Sequence, residues 1–171
     1  MKRFIWLSIL SFVLLVSFGM HVQAQSKEVT EVVTTTVYST EKILPLDEGR
    51  VRVSYEAINI TLSDTGSGLF HGATSRVLGG FTAEKGKFSD QQAWGVYNLQ
   101  NGDKVFFTST GAGEMKWEGG GEQKAFATFT GGTGKCAGIK GTTTFIRYAL
   151  RPAVEGIVQI YQKGTIKYTL P

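Results

Sequence analysis

From Val29 to the end of the chain, β-branched and alternating segments follow one another and none sustains a helical period, which confines the fold to the all-β classes. The run from Val29 to Tyr38 is dense in valine and threonine, whose stiff χ1 suits a pleated surface. Val51, Val53, Tyr55 and Ala57 then alternate with Arg50, Arg52, Ser54 and Glu56, the period-2 pattern of a half-buried strand. Beyond Ala57 the apolar positions pass to Ile58, Ile60 and Leu62, which predicts a bulge or sharp bend near Ala57–Ile58. Further strands are expected over 68–82, 86–99, 104–111, 124–130, 142–150, 155–161 and 165–170.

Turn signals separate these runs. Asn101-Gly102 marks a tight hairpin, since its central positions favour positive φ. Glu84–Gly86 and Lys163-Gly164 read as two more turns, 115–121 as a looser connection, and 44–49 as a short loop or single helical turn. Proline is scarce, and Gly72, Gly79, Gly80 and Gly95 fall inside strand-like segments, as bends in a curling sheet require. Closure also removes the exposed edges that make all-β chains aggregate. The expected fold is therefore all-β: a single antiparallel closed β-barrel of about eight strands, without substantial helix, preferred over a sandwich.

The stretch Phe129-Thr-Gly-Gly-Thr-Gly-Lys-Cys-Ala-Gly-Ile-Lys-Gly141 lies between two strand-like runs. It is not a phosphate cradle. Gly134-Lys135 is followed by Cys136 rather than Ser or Thr, Phe129 stands where the first glycine belongs, and no helix opens after it. Following Phe126-Ala-Thr-Phe129, the segment resembles the late-barrel motif of the allene oxide cyclase and dirigent barrel group, through Gly131, Gly132, Thr133, Gly134 and Gly141, with Gly138 inside the same segment and Phe145 in the strand that follows. The resemblance implies an eight-stranded barrel with an apolar cavity, assembled as a homotrimer. Cys136 stands where that group commonly has an aromatic residue, and the acidic and polar pocket residues of its plant enzymes have no match here. The motif thus carries fold and no catalytic residue.

The N-terminus reads as an export signal spanning 1–24. Met1-Lys2-Arg3 is a basic head, Phe4 to Met20 an apolar run, and Val22-Gln23-Ala24 a cleavage site before Gln25. A retained membrane anchor is the other reading, but the run is short for a span and the cleavage site is good. A mature domain of 25–171 would be secreted or periplasmic, with no membrane contact once the signal is cleaved. Loss of Lys2 and Arg3 lowers the formal charge from +4 to +2, interspersed rather than clustered, so a nucleic-acid partner is not expected. Cys136 is the only cysteine, which excludes an internal disulfide and reads as a small buried side chain.

Little in the chain carries recognisable chemistry. With His21 in the signal, His71 and Cys136 cannot assemble a metal site, and no cofactor is expected. His71 could serve as a base, but reads more simply as a strand histidine. Asn59-Ile-Thr61 spells a glycosylation sequon inside a strand, where chance is the better explanation. Glu56 and Arg147 are charges embedded in strands; either one, if turned into a closed barrel, would demand a partner or a polar ligand. Tyr55, Trp94, Tyr97, Phe107, Trp117 and Tyr148 could supply apolar walls with polar tips.

Three functions fit these residues. The first is an exported barrel that binds a small apolar or aromatic molecule. The second is an isomerase or cyclase that acts by orienting a flexible substrate, which needs neither nucleophile nor metal. The third is an interaction protein whose outer wall assembles copies of itself.

Overall fold

The computed structural model describes residues 27–114 and 122–171. The expected signal segment, Trp117 and the connection 115–121 lie outside the described residues. Eight antiparallel strands form one closed barrel: β1 (Val29–Asp47), β2 (Arg50–Ser63), β3 (Ala73–Glu84), β4 (Lys87–Asn98), β5 (Lys104–Glu114), β6 (Glu122–Gly132), β7 (Lys140–Leu150) and β8 (Val158–Thr169). Each strand pairs with its sequence neighbours, and β8 closes on β1 from Val29↔Tyr168 to Ser39↔Val158. The only helical element described is the single 3-10 turn Gly134–Cys136. The all-β closed barrel expected from the strand pattern is the fold of this chain.

Three local expectations are corrected. No bulge interrupts β2 at Ala57–Ile58: its register runs unbroken from Asp47↔Arg50 and Pro45↔Val51 to Val33↔Ser63 on β1, apart from one irregularity at the Pro45/Asp47 end. The inward positions after Ala57 are Asn59, Thr61 and Ser63, all buried, while Ile58, Ile60 and Leu62 face outward and are exposed. Hydrogen bonds make these polar positions compatible with burial. Asn59 Nδ2 donates to Ser75 Oγ at 2.9 Å, and the Thr35 and Thr61 hydroxyls lie 3.0 Å apart. The burial of Asn59 also removes the sequon from the surface.

Lys163-Gly164 is not a turn. β8 runs through it as one strand, with Gly164 opposite Phe145 of β7. A side chain on Gly164 would strike the Phe145 ring and the Thr144 carbonyl, so the glycine makes room rather than reverses the chain. Likewise 44–49 is neither loop nor helix. β1 continues to Asp47, and Glu48-Gly49 alone turns the hairpin, with Gly49 at φ 76°. The Asn101-Gly102 hairpin is longer than a two-residue turn: β4 ends at Asn98, β5 begins at Lys104, and only Gly102 takes positive φ. Lys85-Gly86, both at positive φ, form the tight two-residue hairpin.

One end of the barrel is plugged. Phe70, from the connection between β2 and β3, is fully buried and touches Tyr97, Phe129 and Tyr168 at ring-centroid distances of 5.1, 5.4 and 5.6 Å. The plug is held by Glu31 of β1. Its carboxylate accepts from the Leu69 and Phe70 backbone N–H groups at 2.8 and 3.3 Å and from the Tyr168 hydroxyl at 2.8 Å. The glycine-rich connection seals the same end. Lys104 N–H donates to Thr133 Oγ1 at 2.9 Å, and Asp103 Oδ2 accepts from Lys135 N–H at 3.0 Å. Any side chain on Gly134 would collide with the Asp103 carboxylate, so the segment must carry glycine where it docks on the β4–β5 hairpin. Beneath it Cys136 and Ile139 enter the core.

Candidate functional site

The lumen continues from the plugged end toward the end where 151–157 connects β7 to β8. A cavity of about 150 Å³ occupies this region. Its lower wall is apolar, with Val37, Ala57, Val77, Ala93, Phe107 and Phe145. Its lining also carries Phe81 and Phe88, whose tilted rings lie 4.7 Å apart between centroids, together with Leu150, Pro152 and Val158. A larger depression of about 680 Å³ lies over the outer wall between Thr110 and Lys163 and is more open to solvent. The lumen cavity is the more enclosed of the two, and enclosure is what desolvates a ligand.

Room in the lumen comes from small residues set opposite large ones. Gly95 of β4 pairs with Phe107 of β5, and Gly79 of β3 with Tyr55 of β2. A side chain at position 95 would fall inside the Phe107 ring, and one at 79 would lie 2.7 Å from the Tyr55 hydroxyl. Each ring therefore lies across its neighbouring strand instead of filling the barrel centre.

A polar belt crosses the lumen between the apolar wall and the rim. Arg147 of β7 donates through Nη1 to Gln91 Oε1 of β4 at 2.9 Å and through Nε to Gln162 Oε1 of β8 at 3.1 Å. Gln91 Nε2 donates in turn to the Tyr55 hydroxyl. The guanidinium can only donate and so fixes the orientation of both amides. Gln91 fits because position 111 is glycine; a Cβ there would collide with Gln91 Oε1. Ser39, Ser109, Gln123 and Glu41 line the cavity as well, with Glu41 opposite Tyr55 across the β1–β2 pair.

The electrostatics follow from enclosure. Burial lowers the Arg147 guanidinium from its usual value, while the nearby Tyr55 and Tyr97 hydroxyls oppose the shift. Burial raises the Tyr55 hydroxyl, against the influence of Arg147 and the Gln91 hydrogen bond. Tyr97 is raised by burial as well, and the Glu41 carboxyl is pushed up for the same reason. No carboxylate among the described residues forms an ion pair with Arg147; its hydrogen-bond partners there are two neutral amides. The site can bind and orient a molecule, and can offer protons from hydroxyls held neutral.

The residues singled out from sequence divide cleanly. Tyr55, Tyr97, Phe107 and Arg147 come together in the lumen cavity. Glu56 does not: it faces outward and accepts from Arg76 Nε at 2.6 Å in an exposed ion pair. Trp94 is 61 % exposed on the outer wall, and Tyr148 also faces outward, its ring tilted against that of Tyr161 with centroids 6.2 Å apart. His71 sits at the plugged end, away from the cavity, with Nδ1 buried and unpaired among the described residues. Sequence reasoning missed Gln91, Gln162 and Glu41. A signal for Gln91 existed: Gln91, Ala93, Gly95 and Tyr97 share one face of β4, and glycine beside an aromatic marks the crowded inner face. The sequence reading instead grouped Trp94 with Tyr97, which lie on opposite faces of this strand.

Fold and site together define a closed eight-stranded barrel with a lumen cavity crossed by a polar belt. Neither a known protein family nor a curated protein matches the chain.

Proposed function

We propose that this chain is an exported barrel that binds a small apolar or aromatic molecule in its lumen. The carrying observation is the lumen cavity, largely apolar below and polar at Arg147, with Phe70 plugging one end of the barrel. A barrel serving only as a scaffold has no use for a buried guanidinium beside empty volume, because burying it costs free energy unless its contacts offset the loss of water. The signal-like N-terminus and the likeness of 129–141 to the allene oxide cyclase and dirigent barrels support export and a binding lumen. A native mass spectrum of protein purified from an exporting host tests the reading. An additional non-covalent mass on the 25–171 chain supports it; a bare chain that also takes up no aromatic probe would refute it.

The outer wall supports self-association as a second component. Tyr38, Ile58, Ile60, Leu62, Leu78 and Trp94 are exposed on adjacent strands, with Tyr38 opposite Ile58 and Leu78 opposite Trp94. An apolar surface of this continuity is commonly covered by a partner, and a homotrimer is what the sequence resemblance implies. Sedimentation of Ile60→Lys against the parent chain tests it: dissociation is expected, and a parent that sediments as a monomer removes the component.

A further inference from the structure

We infer that the lumen cavity takes a ligand bearing an oxyanion, an aromatic or otherwise apolar carboxylate or its equivalent, held by Arg147 Nη2 and the Tyr55 hydroxyl. This rests on the binding reading above and adds the charge of the ligand. The argument begins with donors left over once the protein's own bonds are counted. Arg147 uses Nε on Gln162 and Nη1 on Gln91, and Nη2 has no acceptor among the described residues. That nitrogen is not sealed in the wall, since the guanidinium lines the cavity and retains accessible surface there. The Tyr55 oxygen already accepts from Gln91 Nε2, and its own proton has no acceptor among the described residues. Two donors on neighbouring parts of one belt therefore face the same volume unspent.

Charge completes the case. A guanidinium enclosed by a barrel wall calls for a counter-charge, and two amide oxygens supply dipoles only. Glu41 is the one acidic side chain among the described cavity-lining residues; it forms no ion pair with Arg147, and burial favours its neutral form. Arg147 is thus the one basic side chain among the described cavity-lining residues, and no described carboxylate is paired with it. Below this level Val37, Ala57, Val77, Phe107 and Phe145 offer apolar contact, interrupted by Asn59 and the Tyr97 hydroxyl. A molecule with an anionic head and a flat apolar body satisfies both layers at once, and a planar fork of N–H donors suits a carboxylate or sulfonate.

Two fluorescent probes that differ by a single charge test this: 1-anilinonaphthalene-8-sulfonate and its uncharged parent N-phenyl-1-naphthylamine. Wild-type protein is expected to bind the sulfonate about tenfold or more tightly than the neutral probe, the scale of a charge-assisted hydrogen bond. Arg147→Met, which keeps the apolar stem, is expected to abolish that preference while leaving the neutral probe's affinity within about twofold. Tyr55→Phe leaves the guanidinium in place and is expected to weaken the sulfonate alone by several-fold, which keeps the inference testable should Arg147→Met not fold. Contact of either probe with the outer wall is blind to substitutions inside the lumen. If both probes bind and neither substitution changes their ratio, the oxyanion site is overturned and the apolar cavity stands. Should neither probe bind the wild type, the cavity reading fails and this inference fails with it.

Discussion

Arg147 on β7 and Gln91 on β4 are joined across the lumen by a 2.9 Å hydrogen bond between residues 56 apart in the chain. Replacing Gln91 by Leu removes one of the two neutral partners of an enclosed cation and frees the Tyr55 hydroxyl as well. The expected cost is about 1.5–3 kcal/mol, the range for hydrogen bonds to charged groups. Urea unfolding of Gln91→Leu, Arg147→Met and the double variant checks this. The double variant is expected to recover much of the loss, because it removes the uncompensated charge along with its partner.

The Glu31 carboxylate is the clasp of the plugged end, and its removal exposes three donors at once. Glu31→Ala is expected to destabilise the barrel by about 3–5 kcal/mol, whereas Glu31→Gln, which retains one acceptor oxygen, costs about 1 kcal/mol. Hydrogen exchange gives the local readout. The Leu69 and Phe70 amides should lose protection in Glu31→Ala before the strands do.

Crowding at the aromatic–glycine pairs is equally open to test. Gly95→Ala places a methyl group inside the Phe107 ring and is expected to cost about 1–3 kcal/mol in thermal or denaturant unfolding. Phe107→Leu vacates that space, so the two substitutions together should cost less than their sum. Strict additivity would show that the ring and the glycine do not share the volume.

Tyr97 and Tyr168 set the alkaline limb of stability. Burial raises both hydroxyls above the ordinary tyrosine value of about 10, and for Tyr168 the Glu31 carboxylate adds to the effect. A group raised on folding contributes stability that is full below the unfolded value and is lost as pH rises through the folded one. The barrel is therefore expected to lose stability above about pH 10, as the unfolded chain begins to release these protons first. A near-ultraviolet titration checks this: Tyr97→Phe and Tyr168→Phe should each reduce the late absorbance change that accompanies unfolding.

The candidate site was legible in part. Arg147 could be recognised as a charge in an apolar strand, and Tyr55, Tyr97 and Phe107 as wall aromatics. Glu56 has the same sequence signature as Arg147, a charge within an alternating strand, yet lies outside in an ion pair with Arg76. Nothing in either local pattern separates them. Side-chain direction in a strand depends on parity alone, and parity relative to the lumen is set by closure of the sheet. Trp94 misleads for a related reason. Its bulk suggests burial, but Phe107 and Tyr55 crowd the lumen beside it, and the inner-face positions flanking it are the small residues Ala93 and Gly95.

The sequence alone determined that the chain is all-β, that its strands are joined by hairpins, and that they close into a barrel of about eight. Those properties follow from local chemistry: β-branched runs, period-2 alternation, and turns whose φ only glycine readily adopts. Tertiary structure alone decided that Ile58, Ile60 and Leu62 face outward while Asn59, Thr61 and Ser63 face inward. It also decided that Gly164 yields space to Phe145 instead of turning the chain, and that Gln91 and Gln162 meet Arg147 in the lumen. Each of these depends on which residue a neighbouring strand brings opposite, a relation between distant segments that closure of the barrel creates.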